Sequence, residues 1–315
     1  MNLADRIVYA DGRFCRYDEA RVGLLSHGLQ YGTGCFEGVR GFWNAADREL
    51  YLLHLREHFE RHADSARVLM IGMPHSVDEL AAIAVELCAR NRFEENVYVR
   101  PVAFKNGEDI GVRLQGVPDA YAMIAIPFSK YFDAEAGLKV GTSSWRRIDD
   151  TIIPARAKVT GAYINSALAK TEAQLNGFDE AIMLSHDGHV SEASAANLFM
   201  VRDRTFITPD ASQNILEGIT RRALMTLIAD ELRLPVVERT VDRTELYVAD
   251  ELFLCGSGAG IMPVISVDHR PVGAGTMGPL TRQLAAIYDR IVRGREPKYR
   301  SWLTPAYAKT GAGVA

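Results

Sequence analysis

Ile153-Pro154-Ala155-Arg156-Ala157-Lys158-Val159-Thr160-Gly161-Ala162-Tyr163 is the stretch on which the reading of this chain turns. It connects a predicted strand at residues 138–142 to a predicted helix at about 162–176, and small residues crowd its lysine. Such confinement strips water from an ammonium group and lowers its pKa toward the range where the free amine is a nucleophile. A solvated loop lysine fits the same segment, since exposed lysines are the rule. The rest of the chain has to decide.

Downstream, Gly177 stops the helix, and a strand at 180–185, a turn at Asp187-Gly188 and a strand at 190–201 follow. Glu217-Gly218-Ile219-Thr220 opens a long helical pattern that ends before Pro235, and a last helix starts at Gly278-Pro279. Upstream, a polar, glycine-bearing break at 129–137 marks the expected domain boundary. Before it, runs at 6–9 and 13–17 flank a hairpin turn at Asp11-Gly12. An amphipathic helix is predicted over 53–69, with Leu55, Phe59, His62, Ala66 and Leu69 on one face, and a second helix over 77–91. Residues 97–103 and 120–127 read as buried strands, the latter almost continuously apolar, and the small-residue tail at 310–315 as frayed.

Composition excludes several classes of function. With 36 basic and 40 acidic side chains the net charge is −4, which argues against nucleic acid as a partner. A 48% hydrophobic and 24% charged chain is that of an ordinary globular protein rather than a disordered or fibrous one. No apolar run reaches the ~18 residues that span a bilayer, so no membrane partner is expected. The opening residues lack the pattern of a secretory leader, and a cytoplasmic location is expected. Cys15, Cys35, Cys88 and Cys255 lie far apart, against a disulfide framework or a zinc site.

Other segments carry candidate chemistry. Arg61 could hold a phosphate through its fork, or pair with Glu57 one turn away. Gly218-Ile219-Thr220 is a helix start whose free amides favour an anion, though every helix has such an end. The turn Gly256-Ser257-Gly258-Ala259-Gly260 could cradle a phosphate or carboxylate; its GxGxG spacing, with Pro263 following, does not make a dinucleotide site. Glu192, among small residues on a strand, is a charge that wants a partner or a solvated edge. His54, His58 and His62 share one helix face without a recognised ligand set, so no metal is expected, and no GxSxG elbow occurs.

The segments Ser26-His27-Gly28-Leu29-Gln30-Tyr31-Gly32-Thr33-Gly34-Cys35-Phe36-Glu37-Gly38-Val39-Arg40, Arg56-Glu57-His58-Phe59-Glu60-Arg61, Tyr98-Val99-Arg100-Pro101, Ala157-Lys158, Ser191-Glu192, Asn197-Leu198-Phe199 and Leu216-Glu217-Gly218-Ile219-Thr220-Arg221 together resemble class IV aminotransferases. Their order and spacing are most similar to the branched-chain amino acid aminotransferases, from about Ile7 to Trp302. The resemblance implies an α/β (α+β) fold type IV enzyme with a small α/β domain at 1–130, a linker at 131–137 and a larger pseudo-barrel domain at 138–315. It also implies pyridoxal 5'-phosphate bound between the domains, and a homodimer or higher homo-oligomer whose subunits lend each other residues.

On that pattern Lys158 resembles the lysine that bonds the cofactor and shuttles the proton, and Glu192 the partner of the pyridine nitrogen. Tyr163 resembles the donor to the ring's phenolic oxygen, and Arg61, Ile219, Thr220 and Ser257 resemble the phosphate cup. Tyr31, Phe36, Tyr98 and Tyr163 resemble aromatic walls suited to leucine, isoleucine and valine. Arg100 resembles the receiver of glutamate's distal carboxylate, while Tyr98 and the Ser257-Gly258-Ala259 turn would hold the α-carboxylate. Ile110-Gly111-Val112 resembles the loop lent by the partner, and Arg40 and Val112 are counted with the substrate contacts.

The implied reaction is ping-pong transfer from branched-chain L-amino acids to 2-oxoglutarate, so the expected partners are small amino and 2-oxo acids. Two departures widen the substrate range that fits. Ala193-Ser194-Ala195-Ala196 stands where a glycine-rich stretch with a second acid is usual, and Ser257 and Gly260 stand where threonine and glutamate are usual. A D-amino acid or (R)-amine transaminase, or an enzyme like aminodeoxychorismate lyase, shares the fold. Arg100 argues against the lyase, whose family usually has lysine there. Lys158 and Glu192 together argue against a binding protein without turnover.

Overall fold

The computed structural model describes residues 3–128 and 136–307. It groups the chain into two compact units: Met1–Ser129 with Ala157–Gly161 and Arg290–Ala315, and Lys130–Arg156 with Ala162–Asp289. Two segments assigned by sequence to the larger domain, Ala157–Gly161 and Arg290–Ala315, therefore cluster with the first unit. Of the expected break at 129–137, residues 129–135 lie outside the described residues, as does the tail at 310–315.

The first unit opens with the hairpin β1 (Ile7–Ala10) and β2 (Arg13–Arg16), turned by Asp11 and Gly12 at φ 51° and 79°. Both turn positions need positive φ, which is why Asp-Gly serves there. The short helix α1 (His27–Tyr31) and the strands β3 (Gly34–Phe36), β4 (Val39–Asn44) and β5 (Glu49–Leu53) follow. Next come α2 (Leu55–Val68), then α3 (Val77–Asn91), whose start is fixed by a Ser76–Glu79 capping box. β6 (Val97–Lys105) and β7 (Asp119–Pro127) complete this run. A C-terminal strand, Leu303–Pro305, joins β5, and the antiparallel order runs Leu303–Pro305, β5, β4, β6, β7, β1, β2, with β3 also on β6.

The sequence expectation for β6 and β7 needs correction. Burial alternates along both strands, so each has one covered face, because their pairing is antiparallel and the apolar run hides a two-residue period. Val97, Val99, Met123 and Ala125 pack inward with Leu50, Leu52, Leu55, Phe59, Leu80 and Leu87.

The second unit contains β8 (Leu138–Thr142), α4 (Tyr163–Leu175), β9 (Glu180–Leu184), β10 (Val190–Ala193), β11 (Asn197–Arg202) and β12 (Thr205–Thr208). It continues through α5 (Ile219–Leu227), β13 (Val236–Glu238), β14 (Glu251–Gly256), β15 (Gly260–Val267) and β16 (Arg270–Pro271) into α6 (Pro279–Val292), whose residues up to Asp289 belong to this unit. Its sheet runs β10, β9, β8, β15, β14, β11, β12, β13, with β16 on β15. The single strand expected at 190–201 is two strands. The Ala193 N–H donates to the Ala196 carbonyl at 2.8 Å, closing a turn that brings the Asn197 side chain back to Glu192. β14 passes directly into antiparallel β15, which leaves no strand–helix unit for a dinucleotide.

On α2, His62 is fully buried, its ring edge-on to Tyr121 at 5.8 Å and both nitrogens without a hydrogen-bond partner. Burial pushes this imidazole down to about 4 from 6.5; Glu37 opposes the shift and Arg61 adds to it. Between those values the unfolded chain binds the extra proton, so His62 makes stability fall as pH drops through that window. Urea unfolding at pH about 7 and about 5 should show a larger loss for wild type than for His62→Leu. Equal losses would contradict the assignment.

Candidate active site

In the first unit the chain returns at Ala157–Gly161 to lie along β3 and α2. The Phe36 N–H donates to the Lys158 carbonyl at 3.1 Å, the Lys158 N–H donates to Ser65 Oγ at 3.0 Å, and the Gly161 N–H donates to the Gly32 carbonyl at 3.1 Å. A Cβ on Gly32, whose φ is +68°, would lie 2.9 Å from Gly161 Cα, so this crossing requires glycine on positional grounds. Lys158 is half-buried, with Nζ 5.1 Å from the centre of the Phe36 ring.

Arg61 is engaged by Glu37, a partner that helix spacing alone does not suggest. Glu57 bonds His54 Nδ1 at 2.8 Å, whereas Arg61 donates from Nε and Nη2 to the two oxygens of Glu37 at 2.7 and 2.9 Å. His58 Nδ1 lies 2.6 Å from Glu37 Oε2. Glu37 is fully buried. Burial opposes its ionisation, but the Arg61 and His58 charges outweigh this and hold the carboxyl well below its usual range. The His54–His58–His62 column is thus spent on separate contacts, and no cluster with metal-ligand chemistry occurs among the described residues.

Arg100 lies over the Phe36 ring at 4.3 Å and the Tyr98 ring at 5.1 Å, and its Nη2 donates to Tyr98 Oη at 3.1 Å. Among the described residues it joins no ion pair, so a structural carboxylate partner is ruled out there. A Cβ on Gly38 would fall 1.7 Å from Tyr98 Oη, which explains the glycine. Arg40, buried on β4, faces Phe42 and Phe128 at 5.1 and 4.8 Å. Tyr31 and Val112 are exposed, and the Gly111 N–H donates to Tyr31 Oη at 3.3 Å.

In the second unit Glu192 is buried on β10, not at a solvated edge. Arg147 Nη2 lies 2.8 Å from Oε1, while Asn197 Nδ2 and the Leu216 N–H donate to Oε2 at 2.8 and 3.2 Å. Asn197 also donates to the Leu216 carbonyl at 2.8 Å, tying β11 to the approach of α5. At the start of α5 the cap is Gly218, without a side chain for the first-turn amides of Ile219 and Thr220. Thr220 Oγ1 and Ser257 Oγ are 3.4 Å apart. Gly258 and Ala259 form the β14–β15 turn, and Tyr163 begins α4 half-buried.

Sequence reasoning assigned no role to Glu37, Ser65, Arg147 or Asn197. Glu37 carried a usable signal: a carboxylate inside Gly34-Cys35-Phe36-Glu37-Gly38-Val39 needs a partner for the reason applied to Glu192. Arg147 and Ser65 carried none, because their partners are remote in the chain.

Residues 34–267 match the family profile described as amino-transferase class IV. The chain is a class IV aminotransferase. It is 42% identical over 301 residues to a probable branched-chain-amino-acid aminotransferase of Aquifex aeolicus, covering 96% of this chain and 97% of that one. Its fold, that of fold type IV, superimposes with a TM-score of 0.92 on the branched-chain aminotransferase from Thermoproteus uzoniensis with norvaline, at 42% identity, covering 96% and 99% of the chains. The branched-chain amino acid aminotransferase from Thermobaculum terrenum in its PLP form gives 0.93 at 36% identity, covering 97% and 99%.

The cofactor of this aminotransferase is pyridoxal 5'-phosphate. The donor sets fit it. The second unit offers a buried carboxylate for a protonated ring nitrogen, and an uncapped helix start beside two hydroxyls for a phosphate. The first unit offers a primary amine held by its own backbone and an arginine with a fixed fork.

Arg147 and Glu192 form a buried pair, so removing either partner strands a charge. In the purified aminotransferase, Arg147→Met should lower unfolding free energy by about 3–5 kcal/mol, and the double variant with Glu192→Gln should lose less than the sum of the singles. Denaturant titrations measure this, and strict additivity would contradict the pairing.

Proposed function

We propose that this aminotransferase transfers the amino group of branched-chain L-amino acids to 2-oxoglutarate, with one side-chain pocket serving both. The observation that carries this is Arg100: a guanidinium laid on the Phe36 and Tyr98 rings, outside any ion pair among the described residues. Its aromatic neighbours present apolar surface to leucine, isoleucine or valine, while its charge can receive a distal carboxylate. The names of the relatives support the branched-chain reading.

When bound, pyridoxal phosphate supplies an electron-withdrawing ring that carries the amino group between the two substrates. Lys158 would hold the cofactor through its amine and move the proton at the substrate's Cα. Glu192, oriented by Arg147 and Asn197, would hold a proton on the ring nitrogen. Tyr163 would donate to the phenolic oxygen, and Arg61, the Ile219 and Thr220 amides and Ser257 would hold the phosphate. Tyr98, Gly258 and Ala259 receive the α-carboxylate, and Tyr31, Phe36 and Arg40 shape the side-chain pocket. Ile110 and Val112, 82% and 78% exposed, suit a loop lent to a second subunit of a homodimer, with Leu24 and Leu29 exposed in the same unit. The four cysteines are free and buried, as suits a reducing cytoplasmic compartment.

Single-turnover rates of Arg100→Leu test the dual pocket. Reaction with L-glutamate should fall by at least roughly tenfold while L-leucine stays within about threefold. A parallel loss for both substrates, or a wild-type cofactor spectrum that responds to D-alanine and not to L-leucine, would overturn the proposal.

A further inference from the structure

The pairing of Arg61 with Glu37 is built with more care than a structural ion pair between a helix and a turn requires. Both carboxylate oxygens of Glu37 are engaged: Oε1 by Arg61 Nε, and Oε2 by Arg61 Nη2, His58 Nδ1 and, at 3.3 Å, the Gly38 N–H. The two bonds to Arg61 are parallel and use the Nε–Nη2 edge of the guanidinium. The plane of the fork is thereby fixed. His58 stands one turn before Arg61 on α2, so helix and carboxylate are tied at two successive points. The same helix, one further turn along, carries Ser65, which accepts the Lys158 N–H.

We propose that Glu37 is the positioning residue for the phosphate-binding arginine: it fixes the plane of the Arg61 guanidinium so that the cofactor's phosphate meets it with less further ordering. This rests on the reading of Arg61 as a phosphate ligand. A pre-organised fork loses less freedom on binding than a mobile one, which is where the gain in affinity arises.

Charge and positioning predict opposite signs here. Glu37→Gln removes a negative charge beside Arg61, so by charge alone phosphate should bind more tightly. The substitution also leaves an amide whose oxygen can accept from Nε while its nitrogen donates to a neutral His58. The second bond to the fork is lost, and with it this constraint on the plane of Arg61. Positioning therefore predicts weaker binding of phosphate.

The test compares binding of pyridoxal 5'-phosphate and of pyridoxal, which lacks the phosphate, to the full-length protein by visible absorbance titration. Glu37→Gln should weaken pyridoxal phosphate by roughly tenfold, about 1.4 kcal/mol, and leave pyridoxal within about twofold. Arg61→Met should show the same selective loss or a larger one. If Arg61→Met spares the ratio of the two affinities, the reading of Arg61 fails and the proposal with it. If Arg61→Met is selective while Glu37→Gln binds pyridoxal phosphate as well as or better than wild type, only the positioning role is overturned. Equal weakening of both ligands by Glu37→Gln would show a merely structural pair and overturn it too. Should Glu37→Gln fail to fold, Glu37→Asp keeps the charge but withdraws the carboxylate from the fork, and the same selective loss is expected. An unchanged ratio there overturns the proposal.

Discussion

The return of the chain at Ala157–Gly161 is the constraint on which the rest depends. A lysine on a free loop samples many positions, and each costs conformational entropy to recover at every turnover. Here the backbone on either side of the Lys158 side chain is spoken for, its N–H by Ser65 and its carbonyl by Phe36. Beyond it, the Gly32–Gly161 crossing is so close that a methyl group on Gly32 would collide. The small residues that crowd the lysine in sequence serve this close approach, and they leave Lys158 as the one long side chain within Ala157–Gly161.

Each unit then buries one carboxylate against one arginine, and the two pairs are wired differently. Glu37 meets Arg61 with two parallel bonds from one fork, which fixes the orientation of the arginine. Glu192 meets Arg147 through one oxygen while Asn197 and a backbone amide hold the other, which fixes the orientation of the carboxylate. A buried pair is a weak source of stability, since desolvation offsets most of the attraction. Its use is to hold one partner still, and in each unit the side chain so held is one to which the proposed chemistry gives a role.

Much of this was legible in the sequence where local rules decide. The Asp11-Gly12 hairpin, the α3 bounds and the β8 strand follow from turn chemistry, capping and apolar period. The strand expected at 190–201 failed because Ser194-Ala195-Ala196 offers no apolar period to interrupt, and the turn there is set by the Glu192–Asn197 bond. The Glu37 partner of Arg61 failed to show for a similar reason: it is a neighbour in space and not at helical spacing in the sequence. The cluster of motifs named the family, whereas the residues that hold the site residues in place lie outside those motifs or were silent within them.

Reduction of the purified protein with sodium borohydride, followed by peptide mapping, tests the central claim most directly, because it fixes the cofactor to whichever lysine carries it. The account predicts the added phosphopyridoxyl mass on the peptide containing Lys158. The same mass on any other lysine, with Lys158 unmodified, would contradict it.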